Sequence, residues 1–274
     1  MKLLFVKIFW VLALVADVLI CCFTNIVNEP VDFWIPIVLL PALFCGLFLC
    51  LIVFLFVAGL FVNKKKQQET PNKFFKFMLE RSCDLLLWFI GVKTVIIGDE
   101  IVPKDRRFYL VSNHISNIDP IATLVHLAKY NIAFVSKPEN FKIPIAGALI
   151  HMCGYLPIDR FSPRNSMKTL HKCVDLIKND VTSVGIYPEG RRSFSGVLLE
   201  FKDGVFYVAK KAECPIVVMT VSYKKSKLRF FPFARTTAIL KYITVIEPEE
   251  FEKMTTHELS DKVRQIMLDD GDKY

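Results

Sequence analysis

Two long runs of apolar residues open the chain, and shorter apolar segments that alternate with polar ones follow them. Residues 8–27 are mostly apolar and are interrupted by Asp17, whereas residues 34–62 contain no charged side chain. The second run exceeds the roughly 20 residues that a helix needs to cross a lipid bilayer. The pattern therefore predicts a two-helix membrane anchor within residues 1–66.

The charges beside these runs predict their orientation. The link 28–32 carries acidic residues and no basic ones, whereas Lys2 and Lys7 precede the first run and lysines 64–66 follow the second. Because basic flanks stay on the cytoplasmic side, we expect a multi-pass integral membrane protein whose remaining chain is cytoplasmic. A cleaved signal peptide is the alternative for the first run, although no small-x-small cleavage site follows it. Asp17 either acts inside the membrane or faces the second helix or a polar partner.

The pattern of polar and apolar positions in residues 67–91 predicts an amphipathic helix close to the membrane. Its polar residues recur at helical spacing, and the remaining surface is wide, apolar and aromatic. Two alternatives stay open, because such a helix lies either in the membrane interface or in the core of the following domain. Thr70 and Pro71 are typical of a helix start, as the N-terminal cap and the first helical residue.

From residue 92 onwards the pattern alternates between strands and helices. We expect strands over residues 92–97, 107–111, 132–136, 155–158, 181–187, 216–221 and 238–246. We expect helices over residues 120–129, 145–152, 167–177 and 206–211, and a last helix that the Thr255–Glu258 capping box opens. Strands separated by helices are typical of an α/β domain with a mainly parallel sheet flanked by helices. Residues 92–274 are predicted to form that domain.

The distribution of charge along the chain limits the kinds of molecule that we expect the protein to bind. The chain of 274 residues has a net charge of +8, but residues 1–63 carry two lysines and three acids, so the remainder carries +9. A basic domain tied to a membrane suits anionic lipid headgroups or phosphorylated substrates, whereas nucleic acid fits the charge but not the anchor. Residues 223–233 mix bases with aromatic rings, as either a second membrane contact or a hairpin packed in the core. The eight cysteines have no CxxC or zinc-like spacing, so we expect free thiols.

The candidate chemistry starts with His114 and Asp119, which follow the predicted strand 107–111. A carboxylate that accepts from one imidazole nitrogen fixes the tautomer and leaves the other nitrogen free to take a proton. The spacing therefore predicts a general base and its orienting acid. The alternative is structural, with His114 capping a helix and Asp119 in its first turn.

Two later blocks place arginines after predicted strands. Arg160 follows the strand 155–158, and Glu189, Gly190, Arg191 and Arg192 follow the strand 181–187, with Lys202 shortly after. Arginine's planar fork suits bidentate recognition of phosphate, and glycine lets the backbone turn sharply. The second block predicts an anion site in which Glu189 orients an arginine. Arg160 is predicted to bind phosphate or to form a surface ion pair.

These blocks, with the proline-led apolar segment 215–218, resemble in order the glycerolipid acyltransferase family over roughly residues 90–222. The resemblance implies an α/β domain that moves an acyl chain from acyl-CoA or acyl-carrier protein to the sn-2 hydroxyl of lysophosphatidic acid, without a metal or bound cofactor. It implies that His114 is the base and Asp119 its partner. It also places Arg160, Glu189, Gly190 and Arg192 in the blocks that bind lysophosphatidate. In the mechanism that follows, we expect Arg160 and Arg192, together with Lys202, to hold the acceptor phosphate. Arg191 departs from the family pattern, which usually has threonine there, and this bears on the acceptor.

Parts of the sequence are also compatible with other functions. A sister acyltransferase for glycerol-3-phosphate or another lysophospholipid would use the same blocks. A lipase or esterase would need a GxSxG motif and a metallohydrolase an HExxH motif, and the sequence has neither. A membrane lipid-binding scaffold with an inactive site is the non-enzymatic alternative, but an inactive site need not keep His114 and Asp119.

Overall fold

The computed structural model describes residues 3–24, 26–64, 68, 70–127, 129–225 and 236–270. Lys65, Lys66 and most of the basic aromatic segment 223–233 lie outside the described residues. The alternatives for that segment therefore stay open. The division of the chain at residues 66 and 91 also stays a prediction.

Two long helices form an N-terminal hairpin. Helix α1 spans Leu4–Thr24 and helix α2 spans Trp34–Leu60, and both are long and apolar enough to cross a membrane. The rings of Trp10 and Phe44 stack between them, with centroids 4.6 Å apart. Asp17 is buried and does not lie on the exposed surface of the hairpin. The two apolar helices indicate association with a membrane.

Helix α3 spans Lys73–Phe89, and its start differs from the prediction. The side chain of Asn72 accepts hydrogen bonds from the backbone N–H groups of Phe74 and Phe75, at 3.0 and 3.2 Å. The prediction that Thr70 caps this helix is therefore wrong, because Asn72 satisfies the free N–H groups of the first turn.

The two sides of α3 have different neighbours. Met78 and Leu79 are buried in the core of the domain. On the other side, the ring of Trp88 lies 5.7 Å from that of Phe44 on α2. The helix therefore belongs to the core and also joins the domain to the hairpin.

One seven-stranded sheet organises the rest of the chain. Its strands are β1 (Val92–Ile97), β2 (Tyr109–Ser112), β3 (Ile132–Ser136), β4 (Leu156–Pro157), β5 (Ser183–Ile186), β6 (Ile216–Lys225) and β7 (Thr236–Ile246). Their order is β1-β7-β6-β2-β5-β3-β4. All neighbours are parallel except β6 and β7. As a result, β1 and β7 run opposite to the other five strands.

Helices cover both faces of the sheet. They are α4 (Asp119–Leu127), α5 (Ala146–Met152), α6 (Pro163–Lys178), α7 (Tyr207–Ala212) and α8 (Thr256–Asp269). Tyr109 and Val111 of β2 join the core beneath α6, α7 and α8, whereas Leu110 joins the core beneath α3, α4 and α5. This alternation buries both faces, as parallel sheets require, and it confirms the predicted α/β class.

The cysteines agree with the sequence prediction. All eight are free thiols. Burial raises the pKa of Cys153, Cys173 and Cys214 to about 12. These three thiols are therefore protonated and unreactive at neutral pH.

Candidate active site

The parallel strands bring the predicted site residues to one edge of the sheet. His114 follows the end of β2, Glu189 follows the end of β5, and Arg160 follows the end of β4. Because these strands are parallel, their carboxyl ends lie on the same side. Ligands of open α/β sheets commonly bind at this edge.

His114 and Asp119 form a hydrogen-bonded pair. The Nδ1 atom of His114 lies 2.9 Å from the Oδ2 atom of Asp119. The carboxylate is fully buried, whereas 16% of the His114 side chain is exposed. Since Nδ1 is engaged, Nε2 is the ring nitrogen available to a substrate. The pair has the geometry of an oriented general base.

The carboxylate of Asp119 is held by three further donors. Its Oδ2 atom accepts the backbone N–H groups of Ile115 and Ser116, each at 2.7 Å. Its Oδ1 atom accepts the hydroxyl of Tyr223 at 2.6 Å. These bonds offset the cost of burying a charged group. They also fix the turn that leads from β2 into α4.

Tyr223 is a site residue that the sequence reasoning missed in this role. It lies near the end of β6, about a hundred residues from Asp119, and no local motif connects the two. Burial and the neighbouring carboxylate raise the pKa of Tyr223 well above its usual range. Its hydroxyl therefore stays a hydrogen-bond donor at physiological pH.

Replacing Tyr223 with phenylalanine is expected to lower kcat by about 10–100-fold, because a hydrogen bond to a charged group contributes about 1.5–3 kcal/mol. The KM values should change little, since the ring is retained and does not meet the predicted phosphate ligands. The matched control is Tyr242→Phe on β7, whose buried hydroxyl has no hydrogen-bond partner among the described residues. Equal kcat values for Tyr223→Phe and wild type would remove Tyr223 from the site.

Neighbouring side chains fix the His114 imidazole and its loop. The imidazole stacks on the ring of Tyr187 with centroids 4.5 Å apart and planes inclined by 24°. Asn113 is fully buried, and its side-chain amide donates to the carbonyl of Val221 and accepts its N–H, at 3.0 and 2.7 Å. Asn113 thus ties the loop after β2 to β6. In the sequence, the only indication of this role was that Asn113 directly precedes His114.

Glu189 points inward, towards backbone rather than towards an arginine. Its Oε1 atom accepts the N–H of His114 at 2.6 Å and its Oε2 atom accepts the N–H of Leu199 at 3.0 Å. Burial raises its pKa, and the two backbone hydrogen bonds oppose that shift. Glu189 therefore connects the loop after β5 to the main chain of His114.

Replacing Glu189 with glutamine is expected to lower kcat at least about tenfold, because an amide NH₂ would face a backbone N–H that needs an acceptor. The main chain at His114 would then shift. Glu200→Gln is the matched control, since Glu200 is an exposed acid on the same loop. Measured turnover equal to that of the control would show that Glu189 does not position His114.

The rest of the loop after β5 folds against the histidine block. Gly190 has a φ of 68°, a left-handed conformation that favours glycine. The guanidinium of Arg192 donates a hydrogen bond to the Oδ1 atom of Asn117. The N–H of Ser193 donates to the carbonyl of His114 at 2.8 Å. These contacts bring Arg192 to the same side of the sheet as the imidazole.

The other predicted phosphate ligands are exposed at this edge. Arg160, Arg191 and Lys202 all reach solvent. Asp159 accepts hydrogen bonds from the N–H of Phe161 and the side chain of Asn165, both at 3.1 Å. Strands lie about 4.8 Å apart, so β4, which precedes Arg160 and is three strands from β2, lies roughly 14 Å from β2. The structure thus gathers Arg192 beside His114 and leaves Arg160 farther out.

The fold and the His–Asp pair together define an α/β domain that carries a candidate general base at the carboxyl ends of its parallel strands. Residues 93–224, just under half of the chain, match the model of the family described as Acyltransferase.

Named relatives narrow the comparison. The chain is 40% identical over 130 residues to the chloroplastic 1-acyl-sn-glycerol-3-phosphate acyltransferase BAT2 of Brassica napus, a match covering 47% of this chain and 37% of that protein. It is 30% identical over 187 residues to the 1-acyl-sn-glycerol-3-phosphate acyltransferase of Limnanthes alba, covering 66% of this chain and 63% of that protein. The chain therefore spans less than two thirds of the length of these relatives.

A solved structure has the same fold. It is the crystal structure of the 1-acyl-sn-glycerophosphate acyltransferase PlsC from Thermotoga maritima, with a TM-score of 0.57. The two sequences are 23% identical, and the match covers 80% of this chain and 88% of that one. At this identity the likeness concerns the fold.

Proposed function

We propose that this protein transfers an acyl chain from a thioester donor to the sn-2 hydroxyl of 1-acyl-sn-glycerol-3-phosphate, giving phosphatidic acid for phospholipid synthesis. The observation that carries the proposal is the His114–Asp119 pair, with Nδ1 and Oδ2 2.9 Å apart, beside a loop that carries Arg192. The names of the relatives point to the same acceptor.

The proposed reaction uses His114 twice. Its Nε2 atom takes the proton of the acceptor hydroxyl as the oxygen attacks the thioester carbonyl carbon. Asp119 stabilises the imidazolium that forms, and a backbone amide or a basic side chain of the loops stabilises the tetrahedral oxyanion. The carbon–sulfur bond then breaks, and the imidazolium returns its proton to the departing thiolate. The donor supplies the activated acyl group, so we propose that no resident cofactor or metal takes part.

The basic loops are proposed to hold the acceptor phosphate. Arg192 lies nearest to the histidine block, and Arg160, Arg191 and Lys202 complete the basic surroundings. Two arginines offer planar pairs of donors to a phosphate. Fixing the phosphate places the sn-2 hydroxyl against the imidazole, which lowers the entropic part of the barrier.

Replacing Arg192 with alanine is expected to raise the KM for lysophosphatidate about tenfold or more, because a charge-assisted hydrogen bond contributes about 1.5–3 kcal/mol. The KM for the donor should stay near the wild-type value. Arg106→Ala is the matched control, since Arg106 is an exposed arginine that precedes β2 at the opposite edge of the sheet. An acceptor KM equal to that of the control, in folded protein, would exclude a phosphate role.

The phosphate requirement can be tested by a pair of acceptors. Lysophosphatidate and the monoacylglycerol with the same acyl chain differ only in the phosphate. We expect the wild-type protein to acylate lysophosphatidate and to acylate monoacylglycerol at least about a hundredfold more slowly, as two or more charged contacts imply. Equal rates would contradict a phosphate site. Parallel assays with acyl-CoA and acyl-carrier protein identify the donor.

We also propose that α1 and α2 anchor the protein as a multi-pass integral membrane protein with the α/β domain in the cytoplasm. The acidic link 28–32 and the lysines beside the apolar helices support this orientation. An Asn28→Cys variant should react with a membrane-impermeant maleimide from the outside of sealed cells, above the wild-type level. Labelling only after the cells are opened would contradict it.

A further inference from the structure

The hairpin leaves the domain at the edge of the sheet that carries the site. Because β1 runs opposite to β2, the end of α3 and the start of β1 lie at the edge where β2 ends. Phe44 and Phe48 of α2 contact Trp88 and Phe89 at this end of α3, with ring centroids 5.7 and 5.9 Å apart. Residues 34–43 therefore extend beyond this edge. A bilayer that received this end of the hairpin would lie against the edge of the sheet that carries His114.

Apolar side chains protrude at the same edge. They belong to the loops that follow β3, β4 and β5, and we call them the apolar rim: Ile143, Phe161, Phe194 and Val197. Phe161 is 96% exposed and Phe194 is 78% exposed. Large apolar side chains exposed to this degree and clustered at one edge indicate a binding surface.

The charges of these loops indicate what the rim binds. The exposed charged residues of these loops are mainly basic, with Lys137, Lys142, Arg160, Arg191 and Lys202 against Glu139 and Glu200, and Arg164 lies next to them in the first turn of α6. Aromatic rings flanked by bases suit the interface of an anionic bilayer, where rings enter the headgroup region and bases meet lipid phosphates. The apolar rim and the basic residues around it therefore match the surface of an anionic bilayer in both polarity and charge.

One rim residue is connected directly to the site. The Arg192 guanidinium carbon lies 4.9 Å from the centroid of the Phe194 ring, and the same guanidinium donates to Asn117 in the histidine loop. A membrane contact at Phe194 therefore acts on the proposed phosphate ligand.

We infer that the apolar rim inserts into the headgroup region of an anionic bilayer and forms a membrane contact separate from the hairpin. This contact holds the mouth of the site against the membrane. Its existence is independent of the proposed reaction, whereas its purpose, the entry of a lipid acceptor from the bilayer, rests on that reaction.

The test is the depth of a tryptophan placed at the rim of the full-length protein. Phe161→Trp and Phe194→Trp proteins are reconstituted in phosphatidylcholine vesicles with and without phosphatidylglycerol. Their emission is compared with that of the wild type, which has three tryptophans. Acyl-chain-brominated lipid quenches from within the bilayer, and acrylamide quenches from water. The matched control is Ile101→Trp, an exposed apolar position after β1, at the opposite edge of the sheet.

In anionic vesicles, the emission added at positions 161 and 194 should fall at least about twofold with brominated lipid, as insertion into the interface implies. The emission added at position 101 should be quenched by acrylamide alone. Acrylamide quenching of all three variants, with no effect of brominated lipid, would overturn the proposal. Equal quenching in anionic and neutral vesicles would overturn its electrostatic part. The readout needs no turnover, so a failure of the proposed reaction leaves it interpretable.

Discussion

Replacement of His114 with alanine is expected to lower kcat by about 10²–10⁴, the usual contribution of a general base and roughly 3–5 kcal/mol of barrier. The structure supports this size of effect because Nδ1 is held by a fully buried carboxylate, which leaves Nε2 as the nitrogen for proton transfer. The KM values should change little, since the imidazole does not bind the acceptor phosphate. The measurement is initial-rate acyl transfer at equal amounts of membrane-inserted protein.

A second histidine provides the control for this experiment. His171 is an exposed histidine on α6, at 3.3 Å from the hydroxyl of Tyr207. His171→Ala should keep wild-type turnover. Near-wild-type turnover of His114→Ala would contradict the assignment of the base, and an equal loss in both variants would point to a general effect of removing histidines.

Replacement of Asp119 with asparagine is expected to lower kcat by about 10² or more, because the charge that stabilises the imidazolium is lost. Asparagine can keep much of the local geometry. Its Oδ1 atom can accept the N–H groups of Ile115 and Ser116, and its NH₂ group can face the hydroxyl of Tyr223. The loss should therefore appear in kcat while the protein stays folded. Near-UV circular dichroism and kinetics on the same preparation measure both.

An acid outside the site gives the matched comparison for Asp119. Asp261 is an exposed aspartate on α8, and Asp261→Asn should behave like wild type. If Asp119→Asn retained wild-type kcat, the carboxylate would serve only to shape the turn before α4. If it unfolded, Asp119→Glu would separate the requirement for charge from the requirement for position.

The fold class could be predicted from the hydrophobic pattern. Both faces of the sheet are buried, and strands buried on both faces appear in the sequence as short apolar runs. Strands such as β1 and β3 read as short β-branched runs, and their observed bounds, Val92–Ile97 and Ile132–Ser136, equal the predicted ones. The starts of helices were harder to predict from the sequence. Thr70 and Asn72 are both acceptable caps in sequence, and only the geometry of the chain decides which one meets the free N–H groups.

The site shows what local patterns omit. His114 and Asp119 are five residues apart, so their pairing is visible in the sequence. Tyr223 reaches Asp119 only because β6 lies beside β2. Glu189 was predicted to orient an arginine, but its carboxylate holds the main chain of His114. The sequence shows that a charged residue lies at the end of a strand. It does not show which residue this side chain will bond to, because that depends on which strands lie side by side.

The most direct measurement compares acyl transfer by membranes carrying the wild-type protein with membranes carrying His114→Ala. Labelled lysophosphatidate, glycerol-3-phosphate and zwitterionic lysolipids are each offered with acyl-CoA and with acyl-carrier protein. We expect phosphatidic acid to form from lysophosphatidate alone, and to depend on His114. Product from another acceptor would keep the chemistry and reassign the acceptor, with Arg191 the first residue to test. Absence of product from every pair, with folded protein, would contradict the proposal that this site is an acyltransferase.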